Sequence, residues 1–224
     1  GAGLLLESEL AHLQAALVPK RPFLCLLGGA KVSDKLGALE ALAQRADVLA
    51  VGGAMAYTFL AAQGQAVGSS RVEPKRFEDA KRVLAAAQAA GNRLLLPTDH
   101  VVAREVRADA EQQTVDTIPE GWIAVDIGPR TAARYAEETS RAETILWNGP
   151  MGVFEVRPFA AGTETIARGV ATSRAVSIVG GGDSLAAINE LGLGEQIGHL
   201  STGGGASLEY VQGLELPGVV ALES

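Results

Sequence analysis

Two lysines follow a glycine pair in the segment GGAKVSDK, residues 28–35. Lys31 and Lys35 are four residues apart. We expect them to open a helix over roughly 31–45 and to project from one face, about 6 Å apart along the axis. Two like charges at this spacing disfavour an isolated helix, whereas beside a polyphosphate they supply two positive charges to its oxygens. The alternative is a pair of solvated lysines whose repulsion is reduced by Asp34. The position directly after two glycines favours contact with a ligand.

A carboxylate follows three glycines in the segment GGGDSL, residues 180–185. Asp183 and Ser184 are both of the residue types that cap helix starts, so one interpretation is that they satisfy free backbone N–H groups there. The other interpretation is that Asp183 binds a Mg²⁺ ion that bridges a nucleotide phosphate. The residues by themselves favour the helix cap, whereas the neighbouring glycine loops favour the metal.

The segment WNGPMGVFE, residues 147–155, leaves an apolar strand through a turn and reaches a carboxylate. Asn148 can donate a hydrogen bond to a phosphate oxygen, Glu155 can accept hydrogen bonds from ribose hydroxyls, and Val153 can lie against a base. The alternative is a rigid turn with no ligand.

The segment STGGGASLE, residues 201–209, places two hydroxyl side chains before three glycines and a helix that we expect to start near Ala206. Free N–H groups at such a helix start suit an anion, and a transferred phosphoryl group is the anion that we predict here. The spacing of the histidines, by contrast, suits neither a metal site nor activation of a nucleophile, so we expect His12, His100 and His199 to be structural or surface groups.

Twelve of the 27 glycines fall in five short clusters that follow apolar runs of strand length. One glycine at such a turn commonly serves only the backbone conformation. Five clusters at the carboxyl edge of one sheet favour a phosphorylated ligand, because glycine lets a ligand approach backbone N–H groups. Neither the P-loop pattern nor the dinucleotide pattern G-x-G-x-x-G is present, so the phosphate site is of another kind.

Apolar runs alternate along the chain with helical stretches rich in Ala, Leu, Glu and Arg. The runs are continuous rather than alternating in polarity, as expected of strands covered on both faces. This pattern predicts an α/β, Rossmann-like, three-layer domain with a mostly parallel sheet of about six strands. The predicted strands lie at 22–28, 47–52, 93–97, 122–126, 143–147, 175–180 and 197–200.

Composition excludes several classes of protein. The chain has 224 residues with 19 basic and 26 acidic side chains, a net charge of −7, which argues against nucleic-acid binding. A hydrophobic content of 47% permits a buried core. Cys25 is the only cysteine and lies in an apolar run, so we expect a buried thiol and a cytoplasmic protein. The uncharged stretch 48–70 is interrupted by glycines and glutamines, so we expect no membrane span.

Taken in order, the motifs GGAKVSDK, GGAMAYTFL, WNGPMGVFE, GGGDS and HLSTGGGASLE resemble the carboxyl-terminal half of the phosphoglycerate kinase family. The resemblance extends over essentially all 224 residues, including LLLPTD, DIGP and ELPGVVAL. It implies that residues 1–18 form a connector helix between two domains and that residues 19–224 form the nucleotide-binding domain. It also implies that the amino-terminal substrate domain is absent from this sequence.

The resemblance also implies roles for individual residues. Lys31 and Lys35 would steady the phosphoryl group in flight, Asp183 would act through Mg²⁺, and Gly203, Gly204 and Gly205 would donate amides to the moving group. Two departures from the family are Ala54 and Ala124, where glycine is frequent. The residues that would contact the nucleotide are Gly28, Gly29, Lys31, Lys35, Gly52, Gly53, Ala124, Asn148, Pro150, Val153, Glu155, Gly181, Gly182, Asp183 and Ser184.

The implied activity is reversible phosphoryl transfer between 1,3-bisphosphoglycerate and ADP, giving 3-phosphoglycerate and ATP, in a monomer. The basic pocket for the acyl-phosphate substrate would belong to the absent domain. We therefore expect this chain alone to bind ATP or ADP and to turn over little. The alternative is a non-catalytic nucleotide-binding module that retains the fold.

Overall fold

The computed structural model describes residues 2–203 and 205–213, and its centre is a parallel sheet. The strands are β1 Phe23–Leu27, β2 Val48–Val51, β3 Arg93–Leu95, β4 His100–Ala103, β5 Gln112–Val115, β6 Ile123–Ile127, β7 Thr144–Asn148, β8 Val176–Gly180 and β9 His199–Leu200. Six of them form the central sheet in the order β3-β2-β1-β7-β8-β9, and every neighbouring pair is parallel. The predicted Rossmann-like architecture with about six strands is confirmed.

Helices cover both faces of this sheet. They are α1 Ala2–Leu17, α2 Leu36–Arg45, α3 Met55–Ala62, α4 Phe77–Ala89, α5 Pro129–Arg141, α6 Ala161–Thr172, α7 Gly182–Glu190 and α8 Ala206–Val211. Short 3₁₀ helices lie at Pro74–Arg76, Arg157–Phe159 and Gly194–Gln196. Within the described residues, no helix combines the length and the apolar composition that a membrane crossing needs.

Strand β1 shows how the sheet separates two apolar layers. Phe23, Cys25 and Leu27 pack into one cluster, with side chains of α1, α2, α3, α4 and α8. Leu24 and Leu26 pack into the other, with side chains of α5, α6 and α7. All five side chains of β1 are buried, which is why the strand sequence FLCLL shows no alternation in polarity. The predicted burial of Cys25 is confirmed, and burial raises the pKa of its thiol.

The strand order reverses direction at β1. From β1 the chain adds β2 and β3 on one side, and β7, β8 and β9 complete the other side. The loops that leave the carboxyl ends of β1 and β7 therefore turn towards opposite faces of the sheet, and they leave a crevice between them. This reversal brings Gly28, which follows β1, next to Asn148, which ends β7.

A second, antiparallel sheet in the order β5-β4-β6 was not expected from the sequence. The predicted strand at 122–126 exists as β6, but it belongs to this sheet and not to the central one. Both faces of β6 are covered, because Ala124 packs with Trp122 and Tyr57 while Val125 packs with Phe159. A strand covered on both faces has a continuous apolar sequence in either kind of sheet, so the sequence could not distinguish them.

The predicted helix over 31–45 begins later, at Leu36. Lys35 has the non-helical φ of −127° at the N-cap position, and a turn closed by the Lys35 N–H to the Val32 carbonyl at 3.0 Å precedes it. The expectation that Lys31 and Lys35 project from one helix face is therefore wrong. The backbone of this segment bonds to neighbouring loops instead, as Met55 N–H does to the Gly29 carbonyl at 3.1 Å.

Helix α1 packs against β7, β8 and α8. The Arg45 guanidinium donates hydrogen bonds to the carbonyls of Ala16, Leu17 and Val211, at 3.3, 2.6 and 2.9 Å. A cation at these carbonyls stabilises the carboxyl-terminal ends of both α1 and α8. The interpretation of residues 1–18 as an interdomain connector stays a prediction.

Substitution of Gly149 tests how tightly the loops after β1 and β7 pack against each other. Its φ is +97°, and a Cβ there would overlap the Gly28 carbonyl and reach the Lys35 ammonium at 2.5 Å. Gly64 has a φ of +79° but no atom within 4 Å of an added Cβ. We expect Gly64→Ala to lower the free energy of unfolding by about 1 kcal/mol, from backbone strain alone. Gly149→Ala should cost about 1–3 kcal/mol more, from steric overlap. Urea denaturation of both variants measures the difference, and equal costs would contradict the packing described.

Candidate functional site

The loops after β1 and β7 are joined by backbone hydrogen bonds. Gly28 N–H donates to the Asn148 carbonyl at 3.0 Å, and Gly29 N–H donates to the Pro150 carbonyl at 3.1 Å. A Cβ on Gly28 would overlap the Pro150 carbonyl, so only glycine permits this approach. The predicted site residues Gly28, Gly29, Asn148 and Pro150 thus form one continuous edge.

The partly buried side chain of Lys35 binds both loops of this edge. Its Nζ donates to the Gly28 carbonyl at 2.6 Å, to the Asn148 carbonyl at 3.0 Å and to Asn148 Oδ1 at 2.8 Å. Burial lowers the pKa of Lys35 to about 8, although the nearby carboxylates of Asp183 and Asp34 favour the charged form. Lys35 therefore carries a positive charge at neutral pH directly beneath the glycine loop.

Lys31 differs from Lys35 in its environment. It is half-buried, and its ammonium makes no hydrogen bond or ion pair to any residue in the described part of the chain. Two lysines that look equivalent in the sequence thus differ in the structure: one is engaged by the protein, and the other is available to a ligand.

The glycines after β2 allow a third loop to reach the same edge. Gly53 has a φ of +68°, and a Cβ there would lie 2.5 Å from the Gly29 amide nitrogen and carbonyl oxygen. Gly52 lies against the side chain of Met151, which a Cβ would overlap. These glycines are required by contacts between loops. An added Cβ on Gly182, in contrast, would meet no atom within 4 Å, so its backbone is open to a ligand.

A cleft of about 160 Å³ opens beside these loops. Among its lining residues are six that the sequence predicted, namely Gly29, Gly53, Ala124, Pro150, Val153 and Glu155. The GVFE segment is held against β6 by a hydrogen bond from Val153 N–H to the Val125 carbonyl, at 2.8 Å. The Ala124 amide donates to Ser70 Oγ at 2.9 Å, so this N–H is already engaged within the protein.

The cleft also contains Asp126, which the sequence analysis did not single out. Its carboxylate is 2% exposed and accepts hydrogen bonds from Gly162 N–H at 2.7 Å and Ile127 N–H at 2.9 Å. Burial raises the pKa of Asp126 to about 7, against the opposing effect of these two hydrogen bonds. The motif DIGP was noted only as part of a resemblance, and no local pattern revealed that its Asp is buried in the cleft.

Helix α7 begins at the Gly180–Gly182 loop with Gly181 as its N-cap residue, at a φ of +89°. No side chain caps this helix, so the interpretation of Asp183 as an N-cap is wrong. Ser184 is fully buried, and its Oγ accepts a hydrogen bond from Gly149 N–H at 2.6 Å, which ties α7 to the loop after β7.

The Asp183 carboxylate is exposed in the first turn of α7 and makes no hydrogen bond to the residues described here. The described residues contain no group of three or more His, Cys, Asp or Glu side chains that could hold a metal alone. A single exposed carboxylate nevertheless fits Mg²⁺, which takes one or two carboxylates and completes its shell with phosphate oxygens and water.

The side-chain amide of Asn148 points towards α7. Asn148 is 4% exposed, and its Nδ2 finds no hydrogen-bond partner among the described residues. A Cβ on Gly181 would lie 3.2 Å from that nitrogen, so the amide faces the start of the α7 loop. A buried donor without a partner is costly, which favours an acceptor supplied by a ligand.

The last predicted loop is described only in part. Gly204, a predicted catalytic residue, lies outside the described residues, while Gly203 and Gly205 are exposed. Ser201 Oγ donates to Glu9 Oε1 of α1 at 2.6 Å. No local pattern indicates this contact, because the two residues are 192 positions apart.

The imidazole ring of His199 also meets α1, where it stacks on His12 with ring centroids 4.3 Å apart. Burial and the neighbouring His12 lower the pKa of His199, although Glu9 opposes them. The third histidine, His100, is buried and lies 3.1 Å from the Tyr57 hydroxyl. The expectation of structural histidines agrees with these positions.

Comparison with known proteins agrees with this architecture. A family model described as phosphoglycerate kinase matches residues 1–214. The phosphoglycerate kinases of Rubrobacter xylanophilus and Herpetosiphon aurantiacus are 55% and 52% identical over 224 residues. These matches cover 99% of this chain but 56% and 57% of the relatives.

Two solved structures are also similar. Phosphoglycerate kinase from Coxiella burnetii has a TM-score of 0.94 and 42% sequence identity, covering 98% of this chain and 57% of that one. The enzyme from Pyrococcus horikoshii has a TM-score of 0.84 and 33% identity, covering 98% and 56%.

A parallel sheet with its cleft at the point of strand reversal defines the class of doubly wound α/β domains. Within that class, the chain belongs to the phosphoglycerate kinase family. It spans a little over half the length of the relatives that it matches.

The different environments of the two lysines lead to a stability test that needs no ligand. Lys35→Met removes three hydrogen bonds and leaves the buried Gly28 carbonyl and Asn148 Oδ1 without a donor, so we expect the free energy of unfolding to fall by about 1–3 kcal/mol. Lys31→Met removes the same charge but no described contact, and should change it by less than about 0.5 kcal/mol. Denaturant melts of the two variants provide the comparison. Equal losses would contradict the distinct positions of the lysines.

Proposed function

We propose that this chain is the nucleotide-binding part of a phosphoglycerate kinase and binds MgADP or MgATP at the carboxyl edge of the central sheet. The supporting observation is that six residues predicted to contact a nucleotide line one cleft. The loop with Lys31 and Lys35 and the start of α7 with Asp183 both contact the loop after β7, through the bond from Gly28 N–H to the Asn148 carbonyl and the bond from Gly149 N–H to Ser184 Oγ.

The base and ribose would occupy the cleft. Val153 and Ala124 line the cleft and provide apolar walls for a base, and Gly53 lies at the same cleft. Glu155 lies at the same cleft, where its carboxylate can accept hydrogen bonds from ribose hydroxyls.

The phosphates would follow the edge from β7 towards α7. The exposed backbone at Gly182 is positioned to donate to their oxygens, and Lys31 has no competing partner in the described part of the chain. Asn148 Nδ2 is buried and has no acceptor among the described residues, so a phosphate oxygen that reached it would satisfy it. Asp183 would hold Mg²⁺, which when bound neutralises charge on the phosphates and so favours their approach by another anion. Lys35 keeps the loop in place and adds positive charge beneath it.

The reaction that we propose for the whole enzyme is phosphoryl transfer from 1,3-bisphosphoglycerate to ADP. The bond between phosphorus and the acyl oxygen breaks, an oxygen of the ADP β-phosphate forms the new bond, and the carboxylate of 3-phosphoglycerate leaves. Such transfer depends on positioning and electrostatics rather than on a covalent enzyme intermediate. Lys31, Lys35 and the backbone amides of the 203–205 loop would stabilise the charge of the moving group.

The acyl-phosphate substrate would be bound by the part of the relatives that this chain does not span. We therefore propose that the chain alone binds nucleotide and catalyses little transfer. A cytoplasmic location, a monomeric state and the absence of nucleic-acid partners stay predictions from the sequence.

Isothermal titration calorimetry with MgADP tests the binding proposal, and absence of binding would overturn it. We expect Asp183→Asn to weaken MgADP binding by about tenfold through loss of a charged metal contact. Binding of ADP without metal should not weaken. Glu190→Gln, at the other end of α7, is the matched control and should bind MgADP like the unmodified chain. Equal effects with and without Mg²⁺ would show that Asp183 does not bind the metal.

The lowered pKa of Lys35 predicts a pH dependence. An anionic ligand binds more tightly to the protonated ammonium than to the neutral amine. We expect MgADP affinity to fall as the pH rises from about 7 to about 9.5, because Lys35 loses its charge as the pH passes through about 8. Titrations across this range measure the effect, and Lys35→Met should flatten the profile. An identical profile in both proteins would assign the dependence to another group.

A further inference from the structure

The loop between β1 and α2 is held at three points. Gly29 is held by backbone hydrogen bonds to Pro150 and Met55, and Lys35 is held by Gly28 and Asn148. The third point is Ser33, which lies between the two lysines and is held by a side chain from a distant segment.

That side chain is Glu73. Ser33 Oγ donates to Glu73 Oε1 at 2.5 Å, and Ser33 N–H donates to Glu73 Oε2 at 3.3 Å. Although partial burial acts in the opposite direction, hydrogen bonds from Ser33 and the Val32 backbone hold the pKa of Glu73 below its usual value. The carboxylate therefore stays charged while it clamps the turn at residues 32–35.

Glu73 is itself anchored. Its N–H donates to Thr58 Oγ1 at 3.1 Å, and Thr58 is buried in α3. Glu73 also precedes the 3₁₀ helix Pro74–Arg76, where its carbonyl accepts the Arg76 N–H at 2.8 Å. The clamp thus connects the lysine loop to helix α3 through the buried Thr58.

The residue whose position depends on this clamp is Lys31. It lies two positions before Ser33 and two after Gly29, and its own ammonium contacts nothing in the described residues that could fix it. We infer that Glu73 is a positioning residue that, through Ser33, restricts the backbone at Lys31 so that the Lys31 ammonium meets the nucleotide phosphates. This inference rests on the proposed nucleotide binding and adds a residue that contacts no nucleotide itself.

The experiment compares a ligand that has phosphates with one that lacks them. MgADP and adenosine are titrated into the unmodified chain and into Ser33→Ala and Glu73→Ala. We expect each variant to bind MgADP about 3- to 10-fold more weakly, because the hydrogen bond that orders the lysine loop is lost. The affinity for adenosine should not change. Ser33→Thr keeps the hydroxyl and should restore MgADP affinity. Glu78→Gln, an exposed carboxylate paired only with Lys81 in the described residues, is the control for loss of charge.

A double-mutant cycle distinguishes positioning of Lys31 from a general loss of order in the loop between β1 and α2. If the clamp acts through Lys31, adding Ser33→Ala to Lys31→Met should cause no further loss of MgADP affinity. Additive losses, equal losses for adenosine and MgADP, or unchanged affinity in both Ser33→Ala and Glu73→Ala would each overturn the inference. Failure of the unmodified chain to bind MgADP would overturn the proposed function as well, so the two failures are distinguishable.

Discussion

The buried ammonium of Lys35 is the contact on which the carboxyl edge of the central sheet depends. It binds carbonyl groups at the ends of β1 and β7, the two strands between which the chain reverses its direction along the sheet. Without a cation there, the buried Gly28 carbonyl and Asn148 Oδ1 would have no hydrogen-bond donor among the described residues, which is costly. The same charge raises the affinity of the edge for anions, so one side chain serves both the fold and the site.

The close packing of loops at this edge explains why several of its positions are glycine. Gly28, Gly53 and Gly149 lie where one loop backbone meets another, and any side chain there would overlap a neighbouring carbonyl or amide. From the sequence alone, the glycine clusters are expected to let a ligand approach the backbone. The structure supports that role most directly at Gly182, whereas the other glycines let three loops come together and thereby create the cleft.

Much of the architecture was predictable because it depends on patterns that are local in the sequence. Continuous apolar runs such as FLCLL predicted the strands of the central sheet. Five of the six cleft residues were found because they follow strand ends, whereas Ala124 lies within β6 and was named from the family resemblance. The antiparallel sheet was missed because β5, with the sequence QQTV, is short, polar and exposed. The start of α2 was predicted five residues too early, because Lys35 is engaged by Asn148, which is 113 positions away.

The sequence by itself determined the fold class and the edge at which the candidate site lies, because hydrophobic periodicity and glycine spacing are properties of neighbouring residues. It identified the family through the resemblance of its motifs. Only the tertiary structure decided which of the two lysines is structural, that Asp183 makes no hydrogen bond to the described residues while Ser184 is buried, that Asp126 lines the cleft and that Glu73 binds Ser33. These distinctions arise from burial and from hydrogen bonds between segments tens of residues apart or more. Such contacts set the charge and mobility of a side chain, and residue type and spacing do not encode them.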